Sequence, residues 1–219
     1  MKTLFIDSSR KKLSVALLMD NNIVGLSNIE SYNKHSNFLM NEIKKIFDNS
    51  DIDIKNIDNI VVLNGPGSFT GIRVGVTIAK TLAWSLNKDI YVVSNLKALT
   101  IGYIDDIVIS VIYDKSNYSY VGIYENDKEI EDYININSEI FNINNKKITI
   151  CTIDNNDYVN TLKSKLSVNN NVTLKIIKDY DYVNLIKYAL SKSKVNPHLV
   201  NPIYLKKIDA EKNDYKKVS

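Results

Sequence analysis

The chain has 219 residues, of which 44% are apolar and 24% are charged, and its formal net charge is +3. This composition is typical of an ordinary globular protein, and so small a charge does not by itself indicate binding to nucleic acid or to a membrane surface. The single cysteine, Cys151, excludes an internal disulfide, so we expect a cytosolic protein. The apolar run near the N-terminus, residues 4–6, is too short for a signal peptide. No apolar run reaches the roughly 18 residues of a membrane span.

The first hundred residues predict the element order β-β-β-α-β-α-β-α. Short apolar runs bounded by turn residues indicate strands, and apolar positions three and four apart indicate helices. The strands are expected at residues 4–7, 13–19, 23–29, 60–63 and 90–93. The helices are expected at residues 36–48, with Asn33 or Ser36 near the cap, at 71–86, and from 94 or 95 to 101.

The same pattern recurs about 100 residues later. Strands are expected at residues 107–113, 118–124, 129–136, 148–153 and 172–177, and helices at 158–166 and 183–190. Meandering strands followed by alternating helices and strands predict mixed sheets with helical cover. We therefore expect an α/β protein of two similar lobes, residues 1–102 and 103–219, the second ending in a polar tail.

The stretch NGPGSFTGIRVGVTIAKTLAW contains four of the seven glycines of the chain. It is not a Walker phosphate loop, because the required lysine is missing, and it fails the dinucleotide fingerprint because Thr70 replaces the third glycine. The turn still precedes a helix N-terminus, where an anion is favoured. Candidate contacts for an anion or nucleotide are Gly65, Gly67, Ser68 and Thr70. The alternative is a tight turn in which Ser68 or Thr70 only caps the helix.

The helix after this turn carries a stripe of small residues. Gly71, Gly75, Ala79 and Ala83 recur every four positions and therefore share one face. Glycine inside a helix destabilises the helix by about 1 kcal/mol relative to alanine, so we expect Gly75 to be required for close packing. Spacing alone leaves two interpretations open, close packing against the chain's own core or against another protein. We favour a partner helix.

Several segments together carry a resemblance to known protein families. IDSS at residues 6–9 and LSVALL at 13–18 are similar to the opening hairpin of the actin, hexokinase and heat-shock ATPase superfamily. KHS at 34–36, the block GPGSFTGIRVGVTIAKTLAW and NPIYLKK at 201–207 resemble the TsaB family of bacterial tRNA threonylcarbamoyladenosine biosynthesis proteins. The resemblance implies two actin-like (RNase H-like) lobes.

The resemblance also implies a function. The chain would be a non-catalytic subunit that binds and activates the TsaD transferase, with the ATPase TsaE in the same assembly and tRNA reached indirectly. It would have no cofactor of its own, although a nucleotide could lie at the partner interface, and it would form a homodimer when alone. The residues implied in partner binding are His35, Phe38, Leu39, Gly71, Arg73, Gly75 and Ala79.

Catalytic and metal sites are not expected. Asn95 and Leu99 stand where the transferase paralogue has its HxxxH metal ligands; leucine cannot ligate iron or zinc, and asparagine does so poorly. Asp7 and Asp114 would hold a metal–nucleotide in an active superfamily member, but a second glycine-rich phosphate loop is missing. Cys151 sits in an apolar run and is expected to be inert. The alternatives are an ATP-binding enzyme of the superfamily and a self-associating dimer without a transferase partner.

Overall fold

The structure is a computed structural model that describes residues 1–30, 35–126 and 128–206; the side chains of residues 35–37 lie outside the described part, as do the predicted cap residue Asn33 and the tail from residue 207. Backbone contacts divide the chain into two compact units. The first contains Met1–Tyr103 and Ile177–Ile203, and the second contains Ile104–Ile176 and, of the described tail, residues 204–206.

The described elements follow the predicted order. The strands are β1 (Lys2–Asp7), β2 (Lys12–Met19), β3 (Asn22–Glu30), β4 (Asn59–Leu63), β5 (Asp89–Val93), β6 (Ile107–Lys115), β7 (Tyr118–Glu125), β8 (Lys128–Asn135), β9 (Lys147–Thr152) and β10 (Asn171–Ile176). The helices are α1 (His35–Asp48), α2 (Phe69–Ser85), α3 (Asn95–Thr100), α4 (Asp157–Leu166) and α5 (Tyr182–Leu190). Short 3-10 turns lie at Ile54–Asn56, Glu139–Phe141 and Pro197–Leu199.

The first unit is built on a sheet of order β3-β2-β1-β4-β5. The first three strands pair antiparallel, whereas β1, β4 and β5 pair parallel. The β2–β3 turn has positive φ at both Asp20 (48°) and Asn21 (68°), the geometry that a two-residue hairpin loop requires. The parallel neighbours are instead connected through α1 and α2, because parallel strands need a crossover.

Both faces of the first sheet are covered. Leu4 and Ile6 of β1 pack into a core that also contains residues of α1 and α2. Phe5 points the other way, and its ring centroid lies 5.9 Å from Tyr180 and 5.4 Å from Tyr182. Alternation along β1 therefore places α1 and α2 on one side and the start of α5 on the other.

This packing explains where the unit division departs from the predicted one. Residues 177–203 were expected in the second lobe, but their backbone contacts place them with the first unit. Val195 also bridges to Ile90 of β5. The chain thus returns to cover a sheet face that the first hundred residues leave open.

The second unit repeats the topology of the first. Its sheet has the order β10-β9-β6-β7-β8, with β6, β7 and β8 antiparallel and β6, β9 and β10 parallel. Its core joins Ile109 and Val121 of the sheet to Val159 and Leu162 of α4. The predicted α/β fold of two similar lobes, each a mixed sheet with covering helices, is confirmed. Within the described part of the chain, no helix is long and apolar enough to cross a membrane.

Candidate partner-binding surface and glycine turn

The glycine turn is packed against the loop after β1 and the start of α3. Gly65, at φ +110°, donates its N–H to Asn95 Oδ1 and accepts a bond from the Asn95 N–H, both at 2.8 Å. The Ser68 N–H donates to the Ser9 carbonyl at 2.7 Å. A Cβ on Gly67 would lie only 2.6 Å from that same carbonyl oxygen. The turn therefore needs glycine in order to approach its own chain closely.

These bonds bear on the predicted anion contact. The amides of Gly65 and Ser68 already donate within the chain, and the Ser68 hydroxyl caps α2 by accepting from the Gly71 N–H at 3.3 Å. Of the two proposed cap residues, Ser68 is the one that caps. Thr70 is exposed. Contact of an anion with Gly65, Gly67, Ser68 and Thr70 stays a prediction, and two of the amides would have to exchange partners to make it.

The small-residue stripe faces the end of β1. A Cβ built on Gly71 would lie 2.0 Å from the Ser8 carbonyl oxygen, and one on Gly75 would lie 2.4 Å from Ser8 Oγ. Ala79 is fully buried in the neighbouring core. The prediction that Gly71, Gly75 and Ala79 meet a partner is therefore wrong, because Ser8, directly after the first strand, fills the space in front of the two glycines and Ala79 is part of the core. Spacing identifies residues that share a helix face, but not what that face contacts.

The predicted residues of α1 divide into buried and exposed ones. Leu39 is fully buried in the core with Leu4 and Ile6, so its assignment to partner binding is corrected as well. Its neighbour Phe38 is 38% exposed. His35 begins α1, and its side chain lies outside the described part. Partner binding by His35 and Phe38 stays a prediction.

Exposed side chains occur on α1 and on α2, two helices that contact each other. We group five of them under the name outer face: Phe38 and Met40 of α1, and Phe69, Arg73 and Thr77 of α2. Met40 is 45% and Phe69 is 53% exposed, and the Arg73 guanidinium carbon lies 3.7 Å from the Phe69 ring centroid. Exposed aromatic, methionine and arginine side chains are enriched in protein–protein interfaces. The outer face has the composition of such an interface.

Asp7, at the end of β1, is fully buried and saturated by its own chain. One carboxylate oxygen accepts from the Ser9 N–H at 2.8 Å and from the Ser9 hydroxyl. The other accepts from Arg10 Nε at 3.1 Å and from the Tyr180 hydroxyl at 3.0 Å. An aspartate with these four donors is held as an internal structural group.

The Arg10 guanidinium lies between Asp7 and the Tyr180 ring, with its carbon 4.0 Å from the ring centroid. Burial alone would lower the pKa of Arg10, but electrostatic interaction with Tyr180 and Asp7 and the hydrogen bond to Asp7 outweigh burial and raise it. Burial, reinforced by the Asp7 charge, raises the pKa of Tyr180 well above its ordinary value. Arg10 therefore stays cationic and Tyr180 stays a hydrogen-bond donor to Asp7.

Asn95 and Leu99 also serve the internal packing. Asn95 is buried and bonds to Gly65 through Oδ1 and to the Ser9 hydroxyl through Nδ2. Leu99 is buried as well. Among the residues that the structure describes, no group of three or more His, Cys, Asp or Glu side chains is placed to hold a metal ion.

Asp114, near the end of β6, is the corresponding carboxylate of the second unit. It accepts from Lys206 Nζ and from the Tyr133 hydroxyl, both at 2.7 Å. Burial opposes ionisation, but the bonds from Lys206 and Tyr133 outweigh it and lower the pKa of Asp114. Burial and the bond to Asp114 raise the pKa of Tyr133 to about 12.

Cys151 lies in β9 and is fully buried. Burial raises the pKa of its thiol to about 12. The thiolate, the reactive form, is therefore negligible at neutral pH, and the side chain behaves as apolar core.

The sequence analysis missed the residues that hold the end of β1, namely Ser8, Ser9, Arg10 and Tyr180. The role of Arg10 could have been predicted from the sequence, because Arg10 is one of two arginines in a lysine-rich chain and lies three residues after Asp7. The role of Tyr180 could not have been predicted, because Tyr180 lies more than 170 residues from Asp7 along the chain.

Comparison with known proteins agrees with the resemblance seen in the sequence. Residues 25–127 match the family model described as TsaD, tRNA N6-adenosine threonylcarbamoyltransferase. The chain is 38% identical over 127 residues to the tRNA threonylcarbamoyladenosine biosynthesis protein TsaB of Bacillus subtilis (strain 168), covering 57% of this chain and 56% of that protein. It is 33% identical over 96 residues to the TsaB of Haemophilus influenzae, covering 44% of this chain and 40% of that one. The matches thus span about half the length of these relatives or less.

Solved structures extend the likeness in fold. The structure described as YeaZ from Pseudomonas aeruginosa has a TM-score of 0.70 at 18% identity and covers 93% of this chain and 99% of that one. Another, described as an uncharacterized protein with similarity to peptidase YEAZ from P. aeruginosa, has a TM-score of 0.73 at 18% identity, with 94% and 99% covered. In sequence and fold the chain is TsaB/YeaZ-like. In this TsaB/YeaZ-like protein, the block GPGSFTGIR forms the turn and the start of α2, and Arg73 within it is on the outer face.

Proposed function

We propose that the chain is a non-catalytic subunit of a complex that makes threonylcarbamoyladenosine in tRNA, and that it binds and activates a TsaD-type transferase. The observation that carries the proposal is the outer face of α1 and α2, which exposes Phe38, Met40 and Phe69. The names of the TsaB relatives supply the pathway. Exposed apolar patches mark interaction sites, and the residues that contribute most to binding at interfaces are often aromatic residues and arginine.

The polar groups at the end of β1 support the non-catalytic part of the proposal. Asp7 is occupied by Ser9, Arg10 and Tyr180. Asn95, which stands in the transferase's ligand position, holds the glycine turn instead. A carboxylate that performs proton transfer or binds a metal needs a free oxygen facing its substrate, whereas these groups face one another.

The proposal extends to the wider assembly. A TsaE-type ATPase would join the same complex, tRNA would be reached through the transferase, and the location would be cytoplasmic. A nucleotide at the partner interface is also part of this proposal, and the chain needs no cofactor of its own. Without its partner, the chain would cover the outer face by forming a symmetric homodimer, since a self-complementary apolar patch favours twofold pairing.

Co-purification with the transferase from the same genome tests the proposal. Wild type should elute together with the transferase, and the pair should make threonylcarbamoyladenosine faster than the transferase alone. Arg73→Glu reverses the charge next to the exposed Phe69 ring of the outer face, so it should abolish co-elution and the activation. Lys128→Glu, an equal charge reversal at an exposed position of β8, should leave both unchanged.

Folding of each variant is checked by its urea midpoint. The proposal is wrong if wild type and transferase elute separately and the transferase modifies tRNA equally well alone. Retained co-elution of Arg73→Glu would remove the outer face, though not the complex, from the proposal.

A further inference from the structure

An open groove lies at the C-terminal end of α2, where the chain turns back into β5. Its volume is about 450 Å³, within the roughly 300–1,000 Å³ typical of small-molecule sites. Its lining includes Trp84, Asn87, Lys88, Lys194 and His198. The outer face and the glycine turn use none of these residues, so the groove has no part in the proposed function.

An exposed indole forms one wall of the groove. Trp84 is the only tryptophan of the chain and is 64% exposed. The His198 ring stands edge-on to it, with centroids 6.0 Å apart and planes at 62°. This contact holds the indole in place and leaves much of its surface to solvent. Nucleobases stack on such surfaces, because every base has a flat π-face.

The two lysines of the groove differ in their partners. Lys194 Nζ lies 3.0 and 3.2 Å from the two carboxylate oxygens of Asp89 and is therefore paired. No acidic side chain among the described residues is within ion-pair distance of Lys88. The Lys88 backbone N–H donates to the Ala83 carbonyl at 2.8 Å, and this bond fixes the Lys88 backbone against the last turn of α2. Within the described part of the chain, Lys88 is thus a lysine of the groove with no acidic partner, and the exposed Trp84 ring lines the same groove.

We propose that this groove binds a nucleotide, with its base stacked on Trp84 and its phosphate paired with Lys88. An ammonium group pairs strongly with phosphate, and the Asn87 side chain adds an amide that can donate to or accept from a base edge. A purely apolar peptide segment would leave Lys88 without a counter-charge. The same chemistry is presented by a free mononucleotide and by an unpaired nucleotide within an RNA strand.

Because Trp84 is the only tryptophan, its fluorescence reports on the groove directly. The full chain is titrated with AMP, with a single-stranded hexaadenylate RNA and with inorganic phosphate, using excitation at the red edge of the indole band. Saturable quenching by AMP would identify a free-nucleotide site. Saturable quenching by the RNA alone would identify a site for a nucleotide in a strand. Absence of saturable quenching with both would overturn the proposal, as would phosphate binding that neither nucleotide displaces.

Variants separate the two contacts. Lys88→Gln should weaken binding by about tenfold or more, as expected for the loss of a charge-assisted bond, and should reduce the salt dependence. The matched control, Lys128→Gln on β8, should bind as wild type does. Trp84→Ala should lose about tenfold or more by equilibrium dialysis with labelled nucleotide, whereas Trp84→Phe should stay within a few fold. If Lys88→Gln and Lys128→Gln weakened nucleotide binding equally, the nucleotide would be attracted by the overall charge of the protein, and the proposed site would be refuted.

Discussion

The ends of β1 and β6 occupy the same place in two sheets of the same topology, yet their surroundings differ. Asp7 of β1 is fully buried, with an arginine and a tyrosine closing over it. Asp114 of β6 keeps 26% of its side chain exposed and pairs with Lys206 and Tyr133. Both carboxylates are occupied within their own unit. The shared fold therefore sets the position of an acid at each strand end, while burial decides how strongly the protein depends on it.

The two carboxylates should therefore respond differently when one of their partners is removed and the remaining charge is left unpaired. A charge left unpaired in the interior keeps its full desolvation cost, whereas a partly exposed charge recovers hydration from water. Substitutions at the first strand end should accordingly unfold the protein more readily than equivalent ones at the second.

The largest effect is expected for Arg10→Met, which has a similar length but no charge. It leaves Asp7 buried with only Ser9 and Tyr180 as donors. Breaking a buried ion pair by removing one partner typically costs about 3–5 kcal/mol, and because Asp7 keeps its other hydrogen bonds we expect a loss of about 3 kcal/mol here. Urea unfolding followed by the fluorescence of Trp84, which reports on the first unit, measures the loss.

The double variant Asp7→Asn/Arg10→Met is the control for this experiment. Without the carboxylate charge, removal of Arg10 should cost much less, so the double variant should be more stable than Arg10→Met alone. A single variant that unfolds at the wild-type midpoint would show that Asp7 does not depend on Arg10.

An intermediate effect is expected at the helix that packs on the same strand end. Gly75→Leu places a Cβ 2.4 Å from Ser8 Oγ, which itself donates to the Gly71 carbonyl at 2.8 Å. Overpacking should cost about 1–3 kcal/mol and outweigh the gain in helix propensity. The matched substitution Thr77→Leu on the exposed side of α2 should change stability by less than about 0.5 kcal/mol. A Gly75→Leu variant that melts normally would reopen the partner interpretation of the stripe.

Much of the fold was predictable, because its determinants are local. Apolar runs ended by Asn and Asp located the strands, and helical spacing located α1 and α2. The repeated order of strands and helices then predicted two similar lobes. The position of residues 177–203 was not predictable in this way, because Tyr180 and Tyr182 meet Phe5 across a separation in sequence that no local pattern reports.

The candidate site shows the same limit. The stripe Gly71, Gly75 and Ala79 was correctly placed on one helix face, but whether that face meets Ser8 or another protein depends on how the end of β1 packs. Leu39 and Phe38 are adjacent in sequence and equally apolar, yet one is core and the other exposed. Composition alone cannot separate a buried apolar residue from an interface residue, because both are large and hydrophobic.

The smallest effect is expected for Asp114→Asn in the second unit. The pair with Lys206 is partly exposed, so its removal should cost no more than about 1 kcal/mol at neutral pH. Because the pKa of Asp114 is lowered in the folded state, its contribution is fully present above the unfolded value of about 3.9 and is lost as the pH falls through the folded pKa. The stability difference between wild type and Asp114→Asn should therefore be constant near neutrality and shrink below about pH 4. Urea midpoints across this range, followed by the near-ultraviolet circular dichroism of the tyrosines, measure it. Lys206→Ala should reproduce the neutral-pH loss. A difference that grew on acidification would mean that Asp114 is held in its protonated form, and the two strand ends would then differ in the charge they hold as well as in burial.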